Sequence, residues 1–106
     1  MKILFTLIVL LFSTQAFAGT PYTSVQIGML FLYKEDAKSL YTTTIDRDDV
    51  AKLELMGTCM ANNTCTIIDP GTEVFLEEQA EYPLILLRVK GQTRKFWTLT
   101  NVIGLN

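Results

Sequence analysis

The first 18 residues set the terms for everything after them. Met1-Lys2 is a short basic start, and residues 3–12 are a ten-residue apolar run broken only by Thr6. The polar Ser13-Thr14-Gln15 follows, and then Ala16-Phe17-Ala18, an A-x-A cleavage site. These are the three parts of a secretory signal peptide. A membrane span needs about 20 apolar residues, and neither this run nor the apolar stretch 84–87 reaches that. The expectation is cleavage after Ala18, a new N-terminus at Gly19, no stable membrane insertion afterwards, and export. The short apolar region and single Lys look bacterial, so the destination is the periplasm or the exterior. In a eukaryotic secretory route, Asn62-Asn63-Thr64 would be a glycosylation sequon.

Residues 19–106 are then one small domain with one core, too short for a two-domain enzyme. They hold 8 basic and 11 acidic residues, a balance too acidic for general nucleic-acid binding. The chain has no His, so the commonest general base and metal ligand is missing. Ser24 and Ser39 are the only serines after residue 18, and neither lies in a nucleophile motif. Glu77 and Glu78 are sequence neighbours, so on a strand they point to opposite faces rather than at one substrate. Asp46, Asp48 and Asp49 lack the Gly and the closing Glu of a calcium loop. No phosphate-binding glycine motif is present. The expectation is a protein that is not an enzyme and uses no metal and no cofactor.

Cys59 and Cys65 enclose Met60-Ala61-Asn62-Asn63-Thr64. An even cysteine count in an exported chain favours a disulfide. Redox pairs favour a C-x-x-C spacing, and two Cys without His make a poor zinc set. Asn tolerates left-handed backbone, so Ala61-Asn62-Asn63 suits a hairpin loop pinned by that disulfide.

The patterning reads as strands. Val25, Ile27, Met29, Phe31 and Tyr33 alternate with Gln26, Gly28, Leu30 and Leu32, as in a strand that becomes buried on both faces. Residues 34–39 are polar and turn-like, with room for one helical turn. Residues 40–45 are rich in β-branched and aromatic side chains, which predicts a strand. Asp46-Arg47-Asp48-Asp49 is a charged turn. Residues 50–56 alternate, and a strand is preferred because so short a helix is marginal. Asp48 or Asp49 as N-cap and Gly57 as C-cap would frame a short helix instead. Thr66-Ile67-Ile68 is short and apolar, and Asp69-Pro70-Gly71-Thr72 is a turn. Residues 73–78, 84–90 and 94–99 read as strands, with Gly91-Gln92-Thr93 a turn and Val102-Ile103 an apolar close. The fold class expected is all-β, a small barrel or sandwich of about six short antiparallel strands.

Charge supports the pairing. Residues 69–81 contain five acids and no base, and residues 82–106 contain four bases and no acid. Opposite charges across a ladder help and like charges hurt. Strand 72–78 is therefore expected to pair antiparallel with 84–90, and 84–90 with 94–99.

Pro70-Gly71-Thr72-Glu73-Val74, Leu87-Arg88-Val89-Lys90-Gly91, Phe96-Trp97 and Val102-Ile103 follow one another in the last third of the chain. This part resembles the bacterial SH3-like domains of exported proteins, which show a P-G-T-x-V turn, a V-R or R-V strand end, a G-x-x turn, a Trp and an apolar close. The chain departs from that pattern in three ways. Arg94-Lys95-Phe96 stands where a Gly usually precedes the Trp, the cysteine pair is not a regular feature, and the 25–33 strand has no counterpart. The resemblance implies a small β-barrel and a binding role with an aromatic-lined groove.

Trp97 is the only Trp, and alternation puts Lys95 on its face. Arg94 and Lys90 border the same turn, and Tyr82 is one of four tyrosines, with Tyr22, Tyr33 and Tyr41, that could extend an aromatic groove. The candidate binding set is Trp97, Lys95, Arg94, Lys90 and Tyr82. The competing reading makes Trp97 core, with the cations answering the acidic strand. Two functions follow: a non-enzymatic binding module for cell-wall material or a protein segment, or a small secreted inhibitor or immunity-type protein that blocks another exported protein.

Overall fold

Residues 73–99 follow the local pattern most directly. In the computed structural model, which describes residues 19–105, β4 (Glu73–Gln79), β5 (Leu84–Val89) and β6 (Lys95–Leu99) form an antiparallel meander. The expected signal segment and cleavage site lie outside the described residues. The division of charge works as expected: Arg88 Nε donates to Glu77 Oε1 at 3.1 Å, and Lys90 Nζ lies 2.9 Å from Glu73 Oε2. Gly71, with φ of 86°, supplies the left-handed residue of the turn into β4.

The chain before the meander adds β1 (Thr20–Thr23), β2 (Gly28–Phe31), α1 (Lys34–Ile45), α2 (Asp49–Ala61) and β3 (Cys65–Ile68), and a 3-10 turn (Thr100–Ile103) follows β6. The six-stranded sheet has the order β1-β4-β5-β6-β2-β3, and every pair is antiparallel. In a flat sheet β1 and β2 would lie about 19 Å apart, four steps of ~4.8 Å. The link from Thr23 to Gly28 reaches at most about 18 Å. The sheet must therefore curl.

Both faces are packed. One holds Leu30, Ile68, Val74, Leu76, Ile85, Leu87 and Phe96 beneath Val102 and Ile103. Gly28 makes room for that 3-10 turn, since a Cβ there would lie 2.7 Å from Val102 Cγ1. The other face holds Phe31, Leu84 and Leu99 against Ala37, Leu40 and Tyr41 of α1 and Leu55 and Cys59 of α2.

Three expectations are corrected. The fold is β-rich but not all-β, because 34–45 and 49–61 are helices. In α1 the buried stripe is only Ala37, Leu40 and Tyr41, and packing on the sheet overrides the strand preference of the Thr run. Its hydroxyls bond back to the helix, Thr43 to the Ser39 carbonyl at 2.9 Å and Thr44 to the Leu40 carbonyl at 2.7 Å. In α2 the Asp48 side chain caps the helix by accepting from the Ala51 N–H at 3.1 Å, and the helix runs through Gly57 to Ala61. Second, the sheet is not closed into a barrel, since β1 pairs only with β4 and β3 only with β2. The helices bury one face without closure. Third, the Cys59–Cys65 disulfide exists, with Cα atoms 5.3 Å apart, but it pins no hairpin. It ties the last turn of α2 to the first residue of β3, and Asn63, with φ of 56°, reverses the chain between them.

The loop closed by this bond is short, so replacing both cysteines by Ser should cost about 2 kcal/mol. Urea unfolding of the double variant beside the oxidised protein checks this. An unchanged midpoint would mean that the α2–β3 junction is held by other contacts. Among the described residues no helix is long and apolar enough to cross a membrane.

Candidate functional site

Register sorts the predicted binding residues into three places. Lys95 pairs with Arg88 and Trp97 with Leu86 on β5, and Trp97 also faces Phe31 on β2. Alternation puts Lys95 and Trp97 on the helix-covered face. Arg94 lies in the β5–β6 tip with Gly91, whose φ is 86°, and Lys90 is beside it, held by Glu73. Tyr82 is exposed at the other end of β5, about 20 Å from the tip by strand rise. The structure thus puts Lys90 and Arg94 at the tip and Lys95 with Trp97 on the helix-covered face, and leaves Tyr82 apart.

Trp97 is half-buried, between the surface and core readings. It packs on the cluster around Phe31 and Leu99, and Lys34 Nζ stands 5.3 Å from its ring centroid. Lys34 is in turn held by Glu81, Nζ to Oε1 at 2.8 Å. Neither Lys34 nor Glu81 was marked by local pattern, because they are 47 residues apart and meet only when α1 packs across β5 and β6.

This pair makes Trp97 a reporter. The hydrogen bond from Lys34 holds the Glu81 carboxyl below its ordinary value, and the same bond holds the Lys34 ammonium above its own. The depressed carboxylate keeps the pair intact as pH falls through the usual Glu range, and the pair is lost only below it. The raised ammonium keeps the pair intact until pH passes above the usual Lys range. Trp97 emission should therefore stay flat through the usual Glu range, about pH 4, and the usual Lys range, about pH 10, and change only below the first and above the second. Lys34→Met should remove the acid-side change. An acid-side change that persists in that variant would show that Trp97 responds to something else.

The opposite side of the tip opens a groove of about 620 Å³. Thr66, Ile67 and Ile68 of β3 form one wall, and Val89, Arg94 and Phe96 of the hairpin form the other. Sequence reading had marked Arg94 for this region. It missed β3, whose neighbours are set by distant pairing. Ile67 is exposed, while Ile68 and Phe96 belong to the buried cluster beneath. Arg94 and Lys95 are exposed and have no acidic partner within salt-bridge distance among the described residues. The groove is therefore a mixed trough: Ile68, Val89 and Phe96 give it an apolar floor, Thr66, Gln92 and Thr93 give it polar walls, and Arg94 is the cation at its edge. Among the described residues, no group of three or more His, Cys, Asp or Glu is placed to hold a metal ion. No family model, curated protein or solved structure matches the chain.

Proposed function

We propose that this protein is an exported, non-enzymatic binding module of the SH3-like kind, and that it holds a segment of another protein at the β5–β6 tip. The signal segment and a disulfide, which persists in oxidising compartments, support export. The groove carries the binding reading: a trough with an apolar floor and polar walls beside Arg94, a cation with no acidic partner among the described residues. Cell-wall sugars would stack on an open aromatic face, and the Trp97 ring already carries Lys34. This favours a polypeptide over a glycan. An inhibitor that blocks its target through a stapled Cys59–Cys65 hairpin is less well supported, because Cys59 is buried at a helix end.

Selection from displayed random peptides on the exported protein tests the reading. Acidic peptides should be enriched, and Arg94→Glu with Lys95→Glu should weaken them at least about tenfold at low salt. Co-sedimentation with purified peptidoglycan, with no peptide enriched, would contradict it.

A further inference from the structure

Edge strands expose unpaired backbone groups, and proteins usually blunt them with proline, charge or a bulge. The two edges of this sheet differ. β1 contains Pro21, which removes a donor. β3 reads Cys-Thr-Ile-Ile, with no proline and no charge.

The direction of its free groups follows from the ladder. Leu32 N–H donates to the Thr64 carbonyl at 2.9 Å, and Leu30 and Gly28 stand opposite Thr66 and Ile68. Hydrogen-bonded pairs alternate in an antiparallel ladder, so Thr66 and Ile68 turn their backbone groups toward β2. Cys65 and Ile67 turn theirs away. The groove is lined by β3 and the β5–β6 tip, Ile67 among them, and by no residue of β2.

We propose that the partner segment binds as an added strand on the free edge of β3, with an acidic side chain meeting Arg94. This rests on the binding reading above and names its mode and ligand class: an extended, acidic, β-branched segment of another protein. Main-chain bonds to Ile67 supply affinity, and alternate side chains entering the trough over Ile68, Val89 and Phe96 supply selectivity. A second copy of this chain is the weaker occupant. β3 has four residues, and pairing it with itself buries far less than the roughly 800 Å² per partner of a stable interface.

The test uses the octapeptide acetyl-Thr-Glu-Val-Thr-Val-Glu-Val-Thr-amide and the oxidised exported protein. Saturation should slow exchange of the Ile67 amide at least about tenfold. Methylating alternate backbone nitrogens of the peptide should weaken binding by about tenfold or more. Ile67→Pro removes the outward donor without touching a β2–β3 bond, and it should lose the same factor. If that variant does not fold, the methylated peptide on the unaltered protein decides. Equal binding of the methylated peptide with an unprotected Ile67 amide overturns the strand-addition mode and leaves the binding reading standing. A dimer of the free protein with a protected Ile67 amide overturns it in favour of a second copy. No binding by this peptide at about 1 mM also overturns it. The binding reading falls separately, if the peptide selection enriches nothing.

Discussion

Phe31→Ala should leave the protein largely unfolded at room temperature. Phe31 is fully buried, and it stands where β2 meets both neighbours, opposite Trp97 on β6 and Cys65 on β3. It also touches the cluster that seats both helices. Removing its ring deletes the contact between three strands and the helical layer, at a cost of about 3–5 kcal/mol. The low end of a small domain's total stability, about 5 kcal/mol, leaves little after that loss. Phe31→Leu keeps most of the volume and should cost under about 1.5 kcal/mol. Urea unfolding followed by far-ultraviolet circular dichroism checks both. A loss below about 1 kcal/mol for the alanine variant would mean that the helices do not depend on this seat.

Ser24→Ala should cost about 2–3 kcal/mol, a large effect for one hydroxyl. Ser24 is buried in the link that carries the chain from β1 to β2. Its Oγ donates to the Asp69 carbonyl at 2.7 Å and accepts from the Thr72 N–H at 2.9 Å. Its backbone N–H donates to the Thr72 carbonyl, and its carbonyl accepts from the Gly71 N–H. Four bonds thus join the link to the turn between β3 and β4 and hold the curl of the sheet. Alanine removes the two side-chain bonds. The Asp69 carbonyl keeps the Thr72 hydroxyl at 2.6 Å, but the half-buried Thr72 N–H loses its partner and carries part of the desolvation penalty of an orphaned donor. Amide exchange at Gly71 and Thr72 should accelerate along with the fall in urea midpoint. Unchanged exchange at both would show that the link is held elsewhere.

The curl itself was not legible before the structure, and the reason is physical. β4, β5 and β6 are consecutive, so their alternation, their turns and their opposite charges all state one local pairing. β1 to β3 pair with strands far along the chain, and nothing in residues 20–31 names β4 or β6 as a partner. Val25 and Ile27 looked like the start of a buried strand, yet they belong to the exposed link. The helices were hidden for a different reason. α1 buries a stripe of only three apolar residues and ends in a β-branched run. α2 leaves Val50, Leu53 and Met60 exposed while it buries Cys59, so its apolar residues alternate as much as they cluster. The candidate site divides in the same way. Arg94 and Lys95 could be marked because acids and bases are segregated along the chain. The β3 wall could not, because an edge exists only once every other strand has taken its place.

Amide shift mapping with an enriched acidic peptide tests the central claim most directly. Shifts are expected at residues 66–68 and 89–96, the two walls of one groove. Shifts confined to the Lys34 and Trp97 face, or to the exposed Val50 and Leu53 side of α2, would contradict it.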